Sequence, residues 1–518
     1  MRASPSRHFL RLSSFTLIAV CLLLIDPSTT PVAGQDLGAP QLRDRPADPT
    51  DILSGVAFLS TDKARRLGLV PRISPGGRPR PESPPAGPNV PSGPIYTYNV
   101  SNNVNQNAEP SVVSITIGAT TFTTATYFQY LPTYLTFPTA RARIYAASTS
   151  SLTIPDWTRT ELPIPVGYTE SGDPLMDENS LSYGIAPNRM YTTGIIFQDA
   201  ANVQPNAIGL WHSDDGGVTW SQPTLVNVAF NPGIFLDKPA VAVATYSGNV
   251  GAVYVAYNID IVNQPSQVVV AKSVDGGITF APAVTVATGN LLGAQILTQP
   301  FSDKVYLVWV DYGLNAIRMS TSTGPATSWT APETAATGNM VFGSSQFLNG
   351  NVRSPTLPVA RYNWVANCVS VAWHEFESSA PGAHTDIYYA VKTRSGWQPK
   401  RLINANTTND QFQPGVDFDN SGNLMVTFYD RSQDPANNYY LESWQRIDYL
   451  GNRLDFGTVS TPFSDPNSFG DKFIGDYQSS WFWNFSDVYG SRFNAAWTQQ
   501  TIPSGGITYS DIDLTGIN

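Results

Sequence analysis

Residues 238–280 read KPAVAVATYSGNVGAVYVAYNIDIVNQPSQVVVAKSVDGGITF. Three runs rich in apolar, largely β-branched or aromatic residues lie in this stretch, at 239–244, 252–260 and 267–274. Short runs of this kind, bounded by turns, read as strands. Ser-Gly-Asn, Asn-Gln-Pro and Asp-Gly-Gly separate the runs, and these are turn residues. A Lys-Pro pair opens the stretch and Phe280 closes it.

The same pattern returns along the chain. A polar residue followed by Pro and an apolar run occurs at Glu109-Pro110, Asp173-Pro174, Lys238-Pro239, Ser354-Pro355 and Gln413-Pro414. The repeat is about 61 residues long, with one double interval. The skipped copy falls near Gln295, and one more period reaches Gly475-Asp476-Tyr477. Second strands follow as TFTTATYF, RMYTTGIIF, AVYVAYNID, KVYLVWVDY, CVSVAWHEF, LMVTFYDRS and RFNAAWTQQ. Third strands follow as ARIYAAST, AIGLWHSD, QVVVAKSV, AIRMSTST, DIYYAVKT, YYLESWQR and GITYSDID. Four short strands per unit at such a period describe a β-propeller blade. The expected fold is all-β, with seven four-stranded blades. The seventh unit ends without room for a fourth strand, and Pro94–Val100 (PIYTYNV) is placed there to close the ring. Six blades with an extra terminal layer is the alternative.

Composition agrees. Charged residues make up 14 % and aromatics 12 %, with 40 Gly and 41 Pro. That excludes a coiled coil and a disordered chain. A net charge of −10 disfavours nucleic-acid binding, which needs a basic surface. Residues 1–34 read as a signal peptide: Arg2, Arg7 and Arg11 precede an apolar run from Phe15 to Ile25 that is too short to span a bilayer, and Val32-Ala33-Gly34 offers a cleavage site. Cys21 lies in that run, so Cys368 is left without a disulfide partner. Residues 35–93 form a Pro/Gly-rich linker without strand alternation, and 94–518 the propeller. The mature chain is expected to be secreted, monomeric and without a membrane span.

Two turns carry a sharp motif: Ser213-Asp214-Asp215-Gly216-Gly217-Val218-Thr219-Trp220 and Ser273-Val274-Asp275-Gly276-Gly277-Ile278-Thr279-Phe280. Asp accepts hydrogen bonds from the N–H groups of its own turn, and Gly allows positive φ. On Ser213, Asp215, Gly217, Thr219, Trp220 and Ser273, Asp275, Gly277, Thr279, Phe280 the chain resembles the Asp-box (bacterial neuraminidase repeat) proteins of the sialidase superfamily. Degenerate copies occur at Ser320–Trp329 and Thr393–Trp397. The resemblance spans about residues 95–518 and implies a secreted propeller in which the boxes are structural.

Strand direction then separates two faces. Inner strands begin, and second strands end, on one face; the boxes lie on the other. Strand starts bring Glu109, Asp173, Asp177, Glu178, Asp237, Lys238, Arg353, Gln413 and Asp476 to the first face. Second-strand ends add Tyr257, Asp260, Asp311, Tyr312, His374, Glu375, Tyr429, Asp430 and Arg431. Carboxylates, Arg and Tyr at one channel mouth suit a carbohydrate. Sialidase chemistry, as the resemblance implies it, uses three Arg on the substrate carboxylate, a Tyr nucleophile activated by Glu, and an Asp acid/base. Here that assigns Arg353 and Arg431 to the clamp, Glu375 to activation, Tyr429 or Tyr312 to attack, and Asp237 to proton transfer. Glu109, Tyr257, Asp311, Tyr312 and Asp430 would bind substrate. No third Arg stands at an inner-strand end, and no Arg-Ile-Pro motif is present. The leading expectation is therefore a propeller that binds glycan, or an extracellular or cell-envelope protein, at the channel mouth without turnover. An exo-glycosidase for terminal acidic sugars is the alternative. The bland reading of each residue is a turn or rim acceptor. His374 has no companion at metal-ligand spacing, and Asp417-to-Gly422 reads as a hairpin rather than a calcium loop. Neither a metal nor a cofactor is expected.

Overall fold

In the computed structural model of the protein, the described residues are 96–103, 107–131, 141–152, 155–179, 185–198, 205–245, 250–300, 302–323, 325–342, 346–459, 463–466, 474–483, 492–501 and 509–517. The signal and linker assignments to residues 1–93 lie outside them. The described strands form seven antiparallel sheets, in agreement with the sequence. Blades are numbered here by their innermost strands: Asn107–Ile117, Glu170–Asn179, Ile234–Val243, Leu291–Thr298, Val359–Asn363, Gln411–Phe418 and Ser479–Trp483. Blade 3 continues outward through Val253–Ile261, Ser266–Ser273 and Val284–Gly289. The others follow the same path, and in blade 5 two short pieces, Gly396–Trp397 and Arg401–Leu402, share the outer position.

The ring closes as the repeat count required. Blade 7 takes its outermost strand from the N-terminal side: Tyr96–Asn99 pairs with Tyr509–Ile517, with Tyr98 opposite Leu514. The expected second strands of blades 2 and 5 coincide with the observed Arg189–Phe197 and Cys368–Phe376. The third strand of blade 7 is described over Tyr509–Ile517, in register with both neighbours; the first three residues of its expected span lie outside the described residues.

Hydrophobic packing lies between blades. Tyr191, Ile195 and Leu210 of blade 2 meet Phe235, Val255 and Val269 of blade 3. Tyr254, Val268 and Val270 of blade 3 meet Ile296, Leu307 and Trp309 of blade 4. Each sheet thus buries both faces, which is why second strands such as 253–257 read as nearly continuous apolar runs. Trp211, Trp309, Trp373 and Trp497 are fully buried in these seams.

The two motif turns fold alike. Asp215 Oδ1 accepts hydrogen bonds from Ser213 Oγ (2.8 Å), Val218 N (3.1 Å) and Thr219 N (2.9 Å), while Oδ2 accepts from Thr219 Oγ1 (2.6 Å). Asp275 accepts the same four from Ser273, Ile278 and Thr279. Burial works against ionised Asp275, but these bonds outweigh it and hold the carboxyl at about 2. Each turn also docks on the preceding blade. Gly216 O accepts from Thr124 Oγ1 (2.8 Å) and Ser148 Oγ (2.5 Å) of blade 1. Gly276 O accepts from Tyr191 OH (3.2 Å) of blade 2. A Cβ on Gly217 would lie 2.4 Å from Thr124 Oγ1, so the glycine is required by contact as well as by its φ of +89°. In blade 4, Trp329 Nε1 donates to Ala326 O as Trp220 Nε1 does to Gly217 O.

Candidate functional site

Five of the seven innermost strands share an irregularity. Register slips at Glu109-Pro110, Asp173-Pro174, Lys238-Pro239, Gly293-Ala294 and Gln413-Pro414. Glu109, Asp173, Lys238 and Gln413 have φ of 54°, 55°, 45° and 48°. The polar-Pro pairs are therefore bulges inside the strands, not their starts. Left-handed backbone at a non-glycine residue costs about 1–3 kcal/mol, and here it turns a polar side chain toward the axis. In blade 4 the position is Gly293 (φ 66°), which takes this conformation freely and explains the missing Pro near Gln295.

These bulges, with neighbouring residues, build a buried ion network near the upper face, where the innermost strands begin. Lys238 Nζ stands 2.8 Å from Asp173 Oδ2, 2.7 Å from Asp476 Oδ2 and 3.6 Å from Glu109 Oε1. Arg353 Nη2 reaches Asp476 Oδ2 at 3.1 Å. Asp476 N donates to Glu109 Oε1 at 3.0 Å. Burial drives the Glu109 carboxyl well above its usual range, and Asp173 adds to the rise. Burial does the same to Asp237, against the pull of Lys238. At Asp476 burial is outweighed by Arg353 and Lys238, which hold it below the usual range.

Of the residues named from sequence, Glu109, Asp173, Lys238, Arg353 and Asp476 form this network, and Asp237 borders it, its Oδ1 accepting from Lys238 N at 2.8 Å. Tyr312 lies beside it, its OH donating to Thr356 O at 2.8 Å. The others are engaged elsewhere. Glu375 accepts from Trp373 Nε1 (2.8 Å) and pairs with Lys400. Tyr429 is fully buried against Phe412 and Tyr440, and its OH accepts from Thr498 N (2.9 Å). Arg431 is fully buried between Asp410 (3.1 Å) and Asn349 O (3.0 Å). Tyr257 OH accepts from Asn227 Nδ2, and Asp311 Oδ1 from Leu314 N within a turn. Asp430 accepts from Gln411, Ser432 and Ser443. Arg353 and Arg431 thus serve different carboxylates. His374 Nδ1 accepts from Gln413 N (3.3 Å), so Nε2 carries the proton and donates to Ser354 O (3.1 Å). Burial lowers its pKa to about 4.

An upper-face hollow of about 900 Å³ is rich in Asn, including Asn339, Asn349, Asn409 and Asn437. Its amides hold loops together: Asn349 donates to Ala436 O and Asn437 O, Asn409 to Asp434 O, and Asn339 to Phe376 O.

The lower face is different. There the innermost strands end and leave a cavity of about 650 Å³ on the axis, to which all seven contribute. Asp177 and Glu178 line it. Both were grouped with the strand starts, but they lie beyond the bulge at Asp173. Asp417 follows Gln413 by the same four residues and faces the same space. Arg361 Nε approaches Asp417 Oδ1 at 3.9 Å, and its Nη1 donates to Ala360 O at 3.1 Å. Innermost strands are edge strands, so their free N–H groups need partners. Asp177 Oδ2 accepts from Val243 N (2.8 Å), Asp417 Oδ2 from Phe482 N (2.5 Å) and Ser111 Oγ from Met176 N (3.0 Å). Burial raises Asp177 to about 6; Val243 N, Glu178 N and Arg361 oppose the rise, and Asp417 adds to it. Burial also raises Asp417, against Arg361. Trp364, Trp481, Phe418 and Phe482 supply flat apolar surface, and Trp364 is 52 % exposed. Sequence reading passed over Arg361, Trp364 and Trp481. The offset of four from the polar residue of each polar-Pro pair was the legible signal for Asp177 and Asp417.

No family model matches the chain, and no curated protein matches it. Solved structures do. A Hadza microbial sialidase is 15 % identical with a TM-score of 0.44, over 64 % of this chain and 66 % of its own length. This chain therefore spans about two thirds of that protein. An α-L-arabinanase of Penicillium chrysogenum is 13 % identical with a TM-score of 0.44, covering 70 % of this chain and 98 % of its own. An ulvan lyase, a polysaccharide lyase, is 11 % identical with a TM-score of 0.45, over 80 % of this chain and 95 % of its own. The neighbours thus include glycoside hydrolases and a lyase. No site residue is transferred from them. Among the described residues no helix is long and apolar enough to cross a membrane.

Proposed function

We propose that this is a secreted glycan-binding propeller, related to the Asp-box proteins, whose ligand lies in the lower-face cavity. One observation carries the reading: five aromatic side chains, three carboxylates, a guanidinium and several hydroxyls converge on one axial space. Sugars present C–H faces that pack on aromatic rings and hydroxyls that donate to carboxylates. A cavity of about 650 Å³ is within the range of small-ligand sites, and its strand-end walls are rigid. The upper-face groups support turnover less well. Glu375, Tyr429 and Arg431 each have protein partners, and the axial carboxylates are neutralised by Lys238 and Arg353. The alternative, an exo-glycosidase on that face, needs these groups free for substrate.

A glycan array followed by titration calorimetry tests the proposal. Saturable binding is expected, weakened about tenfold or more by Trp481→Ala, which removes one stacking surface. Binding that Trp481→Ala and Trp364→Ala leave intact but Glu375→Gln abolishes would move the site to the upper face. Release of reducing ends from a bound glycan would favour the hydrolase.

A further inference from the structure

We infer that the lower-face cavity selects uncharged glycans and turns away sugars that carry carboxylate or sulfate. The inference rests on the reading of that cavity as a glycan site and names its ligand class. Charge decides it. Three carboxylates, Asp177, Glu178 and Asp417, face the space, and among the described lining residues Arg361 is the one cation. That guanidinium donates to the Ala360 carbonyl, stands 3.9 Å from Asp417, and is outnumbered by the three carboxylates. Recognition of an anionic sugar is favoured by guanidinium or ammonium groups in excess over the surrounding carboxylates, and here the excess is the other way.

The axis above the cavity offers no compensating positive charge. In the buried network Lys238 and Arg353 are taken up by Asp173 and Asp476, and burial favours the neutral forms of Glu109 and Asp237, so no unbalanced cation there faces the cavity. A second, smaller hollow lined by Asp173, Lys238 and Tyr477 shares Leu175, Gln295, Arg361 and Ser479 with the cavity. Low-dielectric walls focus a field of one sign instead of screening it. An incoming anion meets that field where solvent is thinnest. Neutral hydroxyls meet acceptors on Asp177 and Asp417 that backbone donors already hold in place.

Asp177 makes the selectivity adjustable. It accepts a hydrogen bond from Glu178 N on its own strand, and Arg361 of blade 5 and Asp417 of blade 6 are the charges that act on it. With its carboxyl near 6, acidification removes one of the repelling charges in a mildly acidic range.

The test compares ligands that differ at the carboxyl group alone: galacturonan oligosaccharides against the same oligosaccharides after carboxyl reduction, and sialyllactose against its carboxyl-reduced form. The full secreted chain is used, with affinities measured at pH 7.5 and pH 5. At pH 7.5 the uncharged member of a binding pair is expected to bind at least about tenfold more tightly. The gap is expected to narrow at pH 5, and at pH 7.5 in Asp177→Asn and Asp417→Asn. Asn keeps the acceptor for Val243 N or Phe482 N, and an unchanged melting temperature verifies the fold. Equal or tighter binding of the charged member overturns this inference alone, as does a gap that neither variant narrows. If neither member of any pair binds, the glycan reading itself falls, and this inference with it.

Discussion

Lys238 of blade 3 and Asp476 of blade 7 meet at 2.7 Å near the axis, and both are almost fully buried. Their contact ties together units far apart in sequence. Asp173 and Glu109 approach the same ammonium from blades 2 and 1. Four blades therefore depend on one cation. Lys238→Met leaves Asp173 and Asp476 buried without it, and breaking a buried pair from one side costs about 3–5 kcal/mol. The expected result is a loss of that size in urea unfolding. Lys238→Met combined with Asp476→Asn should lose less than the two single variants added together, because both act on one network. Strict additivity would show the pair to be independent.

His374 gives a pH dependence of definite sign. It is fully buried, and its folded pKa of about 4 lies below the ordinary 6.5. A depressed value means that the unfolded chain binds the proton first. Stability from this group is complete above pH 6.5 and is lost as pH falls toward 4, by roughly 3 kcal/mol. His374→Gln keeps one donor for Ser354 O and one acceptor for Gln413 N but cannot titrate. Unfolding free energies at pH 7 and pH 4 should therefore differ less in the variant than in the wild type. An unchanged difference would mean that His374 does not titrate in this window.

The reach of the sequence had physical limits. Recurring apolar runs made the blades countable, because every second strand is buried on both faces and so rich in β-branched and aromatic residues. The terminal closure followed from the count. The bulges did not show: nothing in a Glu-Pro or Lys-Pro pair announces positive φ, and a residue before proline ordinarily avoids helical backbone in favour of extended. Missing them put Asp177 and Glu178 on the wrong side of the channel. Arg361 and Trp481 were illegible for another reason. Their importance comes from convergence of blades 5 and 7 on the axis, and convergence is not a local property.

The motif turns make a prediction in which one glycine controls for another. Gly217 has φ +89°, and an added Cβ would press on Thr124 Oγ1 at 2.4 Å. Gly118 has φ +63° and nothing within 4 Å of such a Cβ. Gly118→Ala should cost about 1–2 kcal/mol, the backbone penalty alone. Gly217→Ala adds overpacking between blades 1 and 2, about 1–3 kcal/mol more. Thermal unfolding of the two variants separates these contributions. Equal losses would show that the turn does not clamp its neighbour.

Ring closure supplies the last prediction. Tyr96–Asn99 covers the outer edge of Tyr509–Ile517 along four residue pairs. The contact continues past the strand: Val100 N donates to Ile512 O at 2.8 Å, Ser101 Oγ donates to Asp511 Oδ1 at 2.9 Å, and Ile512 N donates to Ser101 Oγ at 2.9 Å. Tyr98 OH reaches Leu152 O of blade 1 at 2.8 Å, so the strand also fastens blade 7 to its neighbour. A chain beginning at residue 104 leaves Tyr509–Ile517 as a bare edge, open to pairing with another molecule. It should melt at lower temperature and associate at concentrations where a chain beginning at residue 94 stays dispersed. A synthetic peptide of residues 94–103 should restore part of the loss by adding the strand back. Ser101→Ala, which takes away the hydroxyl shared by Asp511 and Ile512 N, should cost about 1–3 kcal/mol in the full chain. If the shortened chain melts like the longer one and ignores the peptide, blade 7 holds with three strands and the closure is ornamental.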